Sequence, residues 1–142
     1  MQNKPIWLQV AEKEIGTHEV DGEGNNLRIL EYHKCTTLHA DKDSVPWCSA
    51  FVNWCIRKAG LIGTNSAAAR SWLQWGRQLF NPAPGCIVIL KRGAPPSGHV
   101  TFYVKDRDKD FITCLGGNQG DQVKYSHYRK SDVLGYRWPL DV

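Results

Sequence analysis

The sequence lacks any segment that resembles a membrane span or a secretion signal. No run of about 18 apolar residues occurs, so no transmembrane helix is predicted. A signal peptide needs an unbroken apolar core, but residues 1–16 are interrupted by charges at Lys4, Glu12, Lys13 and Glu14. The chain is therefore expected to be made in the cytoplasm without a signal peptide and not to insert into a membrane.

Cysteines in paired spacing are missing as well. The five cysteines are an odd number, and their spacing fits neither a disulfide scaffold nor a zinc ribbon: Cys35, Cys48, Cys55, Cys86 and Cys114. At least one thiol must therefore be free. Because the sequence also has no glycine loop of the phosphate-binding type, neither a metal nor an organic cofactor is expected.

Long runs of like charge are absent too, although the net charge is +4 at pH 7. Charged residues make up 23% of the chain and the basic ones are scattered, so neither extensive disorder nor nucleic-acid binding is expected. The hydrophobic share of 42% is enough to form one core. With no linker and no internal repeat, residues 1–142 are predicted to form a single domain.

Helical spacing dominates the first half of the chain. From Cys48 the apolar positions follow a helical period up to Ala59, and Gly60 follows where a left-handed residue commonly ends a helix. Pro5 and Ser66 stand where helices commonly begin, as a first-turn residue and as an N-cap. The predicted helices are Pro5–Ile15, Asn25–Lys34, Cys48–Ala59 and a fourth from Ser66 to a stop near residues 76–79.

The second half changes to short β-rich runs separated by turns. Hairpins of this length are not stable alone, so the runs are expected to share one antiparallel sheet. The predicted strands are Cys86–Lys91, His99–Val104, Phe111–Leu115, Val123–Tyr128 and Val133–Trp138. The fold class is therefore α+β, with N-terminal helices packed on a C-terminal antiparallel sheet.

Cys48 is the best candidate for a nucleophile. It follows Pro46 and Trp47 at the predicted first turn of a helix, where free N–H groups and the helix dipole favour a thiolate. The alternative is a small buried hydrophobic residue, the usual fate of a lone cysteine. Cys55 is expected to follow that alternative, because it lies on the apolar stripe one turn after Phe51.

His99 is the best candidate for a base, since a glycine precedes it at the start of a predicted strand. Alternation would put His99 with Thr101 and Tyr103 on one face, and Val100 with Phe102 on the core face. The alternative is a surface or hydrogen-bonded strand histidine. The other histidines lie in predicted loops or at polar positions: His18, His33, His39 and His127.

A catalytic base needs a third group that holds its ring. Asn118 is the first candidate, because it ends the strand that follows the histidine strand, and Asp121 is the second. The alternative for Asn118 is a turn residue among glycines.

Together these segments resemble the CHAP and NlpC/p60-type papain-like peptidoglycan hydrolases, over roughly residues 5–139. The closest resemblance is to compact single-domain members of phage or effector type. The segments that carry it are Val45–Cys55, Ser66–Trp72, Pro84–Ile89, Gly98–Val104 and Gly116–Gln119.

The resemblance implies a cysteine amidase or endopeptidase, without metal or cofactor, acting on the peptidoglycan stem peptide. Cys48 takes the nucleophile position, His99 the base position, and Asn118 the position of the third polar residue. Two positions depart from the family. Relatives often carry histidine or glutamate as the third group, and Cys86 stands where they usually carry aspartate in a Pro-Gly-Asp turn.

Several alternatives stay open at the level of sequence. The bond cut and the second oxyanion donor are not determined, nor is the choice between a resting ion pair and proton exchange on attack. The protein would reach the periplasm or cell wall as a holin-released endolysin or as a type VI secretion effector with a cognate immunity protein. A non-catalytic wall-binding module, or a cysteine amidase or acyltransferase on another amide, remains the competing function. The tryptophans are expected in the core more often than in a substrate groove.

Overall fold

Three α-helices cover one face of a six-stranded antiparallel sheet in the computed structural model, which describes residues 4–22 and 24–140. Helix α1 spans Ile6–Glu12, α2 Leu27–His33 and α3 Cys48–Lys58. These are the first three helices predicted from the sequence. Helix α2 is capped by Asn26, whose side chain accepts a hydrogen bond of 2.8 Å from the N–H of Arg28.

Gly60 terminates helix α3 just beyond its last residue, Lys58, as the spacing predicts. Gly60 has a φ of 84°, and its N–H donates to the carbonyl of Arg57 at 2.9 Å. The N–H of Leu61 donates to the carbonyl of Ile56 at 3.1 Å, which completes the hydrogen-bond pattern of a Schellman motif. Only glycine adopts this left-handed conformation at little cost, so the end of α3 is set by the sequence.

The prediction of a fourth α-helix is wrong. Residues Ala69–Gln74 form a 3-10 helix, and Arg77–Leu79 form a short strand, β1, which the sequence did not predict. The carbonyl of Ser66 accepts hydrogen bonds from the Ser49 hydroxyl at 2.6 Å and the Asn53 amide at 3.2 Å. Because that carbonyl is engaged with α3, it is not available to begin an α-helix of its own.

The sheet contains all five predicted strands. They are β2 (Ile87–Lys91), β3 (Gly98–Asp106), β4 (Phe111–Gly116), β5 (Lys124–Arg129) and β6 (Val133–Trp138). The strand order is β1-β6-β2-β3-β4-β5, and every neighbouring pair is antiparallel. The α+β class with helices on an antiparallel sheet is therefore confirmed.

Both faces of the central strand β3 are buried. Val100 and Phe102 face the helices, as the alternation predicts. Tyr103 lies on the opposite face in a second buried cluster, which the sequence did not predict. That cluster comprises Cys86, Val88, Leu90, Tyr103, Ile112 and Cys114.

The second cluster accounts for Cys86 in place of a family aspartate. Cys86 is fully buried among apolar side chains, and burial raises the pKa of its thiol to about 12. A carboxylate at this position would lose its hydration without a cationic partner in the cluster. A neutral thiol avoids that cost.

All five cysteine thiols are free, in agreement with their spacing. Four of the tryptophans are buried, as expected for core residues, and two are partly buried: Trp7, Trp47, Trp54 and Trp72, then Trp75 and Trp138. Among the described residues, no helix combines the length and the apolar character that crossing a membrane requires.

Candidate active site

Cys48 is the first residue of α3. Trp47 precedes it at the N-cap position without a side-chain capping bond; its indole N–H donates to the Glu19 carboxylate at 2.9 Å, and its ring stacks on Tyr32. This anchors the start of α3 in the core. Cys48 is 6% exposed and belongs to the buried core.

The start of α3 lies against the start of β3. The backbone N–H of Val100 is close enough to the Cys48 thiol to lower its pKa, as do the backbone N–H groups of Cys48 and Ser49. Val100 directly follows His99, so the Cys48 thiol lies beside the part of β3 that carries the candidate base.

Burial outweighs these donors, and the pKa of the Cys48 thiol is raised above its ordinary value. Burial therefore opposes the effect predicted from the sequence, that the helix N-terminus favours a thiolate. The N–H groups do act in the expected direction, but the loss of hydration is larger.

The imidazole of His99 is fully buried and is held through Nε2. The side-chain carbonyl oxygen of Gln119, Oε1, lies 3.0 Å from Nε2, and the hydroxyl oxygen of Tyr128 lies 3.1 Å from it. Thr101 donates its hydroxyl to the same Gln119 oxygen at 2.8 Å. The rings of His99 and Tyr128 are in contact, with centroids 5.4 Å apart.

These contacts determine which nitrogen of His99 carries the proton. The amide nitrogen of Gln119 donates to the backbone carbonyl of Lys124 at 2.6 Å, and a carbonyl can only accept. The oxygen of the Gln119 amide must therefore face His99, and Nε2 must be the N–H that donates to it. Nδ1 then carries the lone pair.

Nδ1 of His99 is buried and has no hydrogen-bond partner among the described residues. Burial lowers the pKa of His99 to about 4, an effect larger than the opposing one of Gln119; the positive charge of Arg92 lowers it further. The ring is therefore neutral at pH 7, with a basic nitrogen that is free of hydrogen bonds to the described residues. A neutral thiol and a neutral imidazole are the resting pair.

Gln119, rather than Asn118, reaches the ring of His99. Asn118 has a φ of 57° in the turn after β4, and its side chain makes no hydrogen bond within the described part of the chain. The sequence could have indicated this, because Gly-Gly-Asn-Gln offers two adjacent amides. Asp121, the second candidate, is exposed at a φ of 62° and has no contact with His99.

Two glycines make this turn possible. A Cβ at Gly117 would lie 2.7 Å from the ring of Trp47, and a Cβ at Gly116 would clash with the Thr101 hydroxyl and lie 2.7 Å from the Gln119 side-chain oxygen. Any side chain at either position would push the turn away from α3 and β3. The close approach therefore requires both glycines.

The other histidines lie outside this site. His18 and His39 are exposed or partly exposed, and His127 is hydrogen bonded to Thr113 at 3.0 Å. His33 is fully buried at the end of α2, contrary to its expected polar position. Within the described residues, no group of three or more metal-binding side chains is found.

Comparisons with known proteins place this arrangement in a family. The family model of the CHAP domain matches residues 40–118, which include Cys48 and His99. CHAP domains are generally peptidoglycan hydrolases of the cysteine peptidase or amidase type. No curated protein matches the chain.

The fold is also similar to that of a solved structure. It is the crystal structure of a protein described as similar to lipoprotein, NLP/P60 family, from Staphylococcus aureus subsp. aureus Mu50. The TM-score is 0.55 at 15% sequence identity, and the match covers 95% of this chain and 41% of the other. The chain therefore spans less than half of that protein.

Proposed function

This chain belongs to the CHAP domain family, and we propose that it hydrolyses an amide bond of bacterial peptidoglycan, with Cys48 as nucleophile and His99 as base. The observation that carries the proposal is the buried Nδ1 of His99, which has no partner among the described residues, on a residue adjacent to Val100, whose backbone N–H acts on the Cys48 thiol. A buried polar atom without a partner is costly in a site that only binds or only supports the fold. A site that must accept a thiol proton requires such an unpartnered atom.

Proton exchange on attack fits the resting charges better than a stable ion pair. As the sulfur of Cys48 adds to the amide carbon, Nδ1 of His99 takes the thiol proton, and the carbonyl oxygen becomes an oxyanion. The backbone N–H of Cys48, unpaired at the start of α3, can donate to that oxyanion. Gln119 accepts from Nε2–H throughout and so stabilises the imidazolium as it forms.

Collapse of the tetrahedral intermediate breaks the carbon–nitrogen bond, and His99 gives its proton to the departing amine. Water then attacks the thioester while Nδ1 takes a proton from it, and that proton returns to the sulfur as the thiolate leaves. The products are a carboxylic acid and an amine, and the enzyme is unchanged.

We assign the orienting role to Gln119 in place of Asn118, because Gln119 makes the contact with Nε2. Its amide is itself held by Lys124 and Thr101, so the ring of His99 has one favoured orientation. A neutral amide in this position leaves the pKa of His99 low, whereas a carboxylate would raise it.

The test is digestion of purified peptidoglycan sacculi. Wild-type protein and Cys48→Ala are compared with Cys35→Ala, which removes a thiol elsewhere in the fold. We expect the wild type and Cys35→Ala to release fragments and Cys48→Ala to release none. Mass spectrometry of the fragments identifies the bond. Release by Cys48→Ala at the wild-type rate, or no release by any of the three proteins, would contradict the proposal.

The place of action is part of the proposal, because peptidoglycan lies outside the cytoplasmic membrane. Holin release or effector delivery would take the protein there, and an effector would need an immunity protein that covers Cys48. Expression in a Gram-negative host, with and without fusion to a periplasmic export signal, tests this. Lysis is expected only from the exported form, and lysis by the cytoplasmic form alone would contradict it.

A further inference from the structure

The segment that contains both Cys48 and His99 has no acidic residue. Between Ser44 and Lys105 neither Asp nor Glu occurs, so the only ionised side chains are basic. They are Arg57, Lys58, Arg70, Arg77, Lys91, Arg92 and Lys105. The acidic residues all lie at or before Asp43 and from Asp106, the last residue of β3, onwards.

Arg92 lies seven residues before His99 in the chain. It directly follows β2, whose last two residues pair with the start of β3: Leu90 lies opposite His99, and Lys91 lies opposite Gly98. Arg92 therefore begins the exposed loop that leads from β2 back to His99.

The charge of Arg92 reaches three groups of the site. It lowers the pKa of the Cys48 thiol, of the His99 imidazole and of the Tyr128 phenol. Among the described residues, no other cation affects all three. The strand register agrees: Arg92 lies two residues beyond Leu90, the residue opposite His99, so alternation puts its side chain on the face of the sheet that carries His99.

Arg92 has no carboxylate partner of its own. It is exposed, and within the described residues it takes part in no ion pair and no hydrogen bond. The neighbouring Lys91, by contrast, lies 3.9 Å from a carboxylate oxygen of Asp132. All donors of the Arg92 guanidinium are therefore available to a ligand.

Arg70 fixes the loop that Arg92 begins. Its Nε donates to the backbone carbonyl of Ser97 at 2.7 Å, and Ser97 donates in turn to the carbonyl of Ala94 at 3.1 Å. The side chain of Arg70 also packs on Gly98, where an added Cβ would lie 3.2 Å from its Cγ. The loop is thus anchored at the end next to His99.

We propose that Arg92 binds a free carboxylate of the substrate next to the amide that Cys48 attacks, with Arg70 as the residue that positions its loop. This rests on the proposed function, since peptidoglycan stem peptides carry such carboxylates. A guanidinium can hold a carboxylate through two parallel N–H donors, which gives both affinity and orientation. The site would therefore distinguish a carboxylate from the corresponding carboxamide.

The experiment uses two purified disaccharide-peptides that differ in one group. One has the α-carboxylate of its D-glutamyl residue free, and the other has it as a carboxamide. We expect the wild type to cleave the free form with a kcat/KM about 10- to 100-fold higher, since hydrogen bonds between charged groups contribute that much. Arg92→Gln should lose this preference by losing activity on the free form alone.

Matched variants separate the effect of positive charge in this segment from that of direct contact between Arg92 and the carboxylate. Arg77→Gln removes a positive charge from the same acid-free segment on β1, at the far edge of the sheet, and should keep the preference. Arg92→Lys should retain only part of it, because lysine keeps the charge without the paired donors. Arg70→Gln should weaken the preference while Cys48 alkylation remains unchanged.

The results that would overturn this inference differ from those that would overturn the proposed function. If the wild type cleaves both substrates equally and Arg92→Gln does the same, the carboxylate site is wrong while the hydrolase stands. A preference that Arg77→Gln abolishes as fully as Arg92→Gln would also overturn it, because general charge would then be the cause. Failure to cleave either substrate or sacculi would instead count against the proposed function.

Discussion

Two cysteines on helix α3 have the same side chain and nearly the same burial, yet opposite surroundings. Cys48 lies in the first turn and Cys55 two turns later, and they are 6% and 0% exposed. Burial raises the pKa of both thiols, that of Cys55 much more. At Cys55 the charges of Glu14 and Cys35 raise the pKa further.

Cys48 differs in the donors around it. The N–H groups at the start of α3 and that of Val100 lower its pKa, as does the charge of Arg92. Helix position supplies the first donors, and strand β3 supplies the last. The comparison shows that a thiol becomes a candidate nucleophile through the groups that can stabilise negative charge near it, not through exposure alone.

The largest expected difference between the two ends of α3 is in alkylation of the native protein. Iodoacetamide should modify Cys48 at a rate that rises with pH towards its raised pKa, because the thiolate is the reactive form. Cys55 should react only when the protein unfolds, at a rate at least about 1,000-fold lower than that of Cys48. Peptide mapping by mass spectrometry, with Cys48→Ala as control, measures both rates. Equal rates would remove the distinction.

A smaller effect, on kcat, is expected from replacing Gln119, the residue that holds His99. Gln119→Ala should lower kcat about 100-fold, because Nε2–H loses its acceptor and the ring loses its orientation. Asn118→Gly is the matched control, since glycine accepts the left-handed φ of that position, and it should be nearly neutral. A larger loss in Asn118→Gly than in Gln119→Ala would restore Asn118 to the orienting role.

The same residue allows a pH test. His99 must be neutral to accept the thiol proton, so the activity of the wild type should fall as the pH drops through about 4. Gln119→Glu keeps an acceptor for Nε2–H and adds a negative charge, which favours the imidazolium and raises the pKa of His99. The acidic limb of the kcat/KM profile should therefore move to higher pH. An unmoved limb would show that His99 is not the titrating base.

The smallest effect is on stability and concerns the Cys55 end. Cys55→Ala leaves a cavity in the core and should lower the free energy of unfolding by about 1–2 kcal/mol, with activity per folded molecule unchanged. Cys48→Ala should do the reverse, abolishing activity with a smaller change in stability, because Cys48 is 6% exposed whereas Cys55 is completely buried. Urea denaturation and the sacculus assay measure the two quantities. Equal losses of stability in Cys48→Ala and Cys55→Ala would contradict this prediction, because they would indicate the same core role for both thiols.

Much of the fold was predictable because the local rules agree with the tertiary structure. The boundaries of α3 follow from its apolar period and from Gly60, and the five long strands follow from their turns and alternation. Ser66–Leu79 was the exception. There the helical pattern of apolar residues was overridden, because the Ser66 carbonyl bonds to α3 and Arg77–Leu79 pairs with β6.

The candidate site was predictable in part for the same reason. Cys48 at a helix start and His99 after a glycine are local features, and the sequence contains them. The orientation of neighbouring amides in a turn is not a local feature. Only the packing of Gly117 on Trp47 and of Gly116 on Thr101 decides that Gln119 reaches the ring.

The sequence by itself therefore determined the elements, their order and the residues able to carry cysteine chemistry, because helical and strand periods are read over a few neighbouring positions. Only the tertiary structure decided the tautomer of His99, the raised pKa of the Cys48 thiol and the place of Arg92 next to the start of β3. Those properties depend on desolvation and on hydrogen bonds between residues far apart in the chain, and no short-range pattern records them.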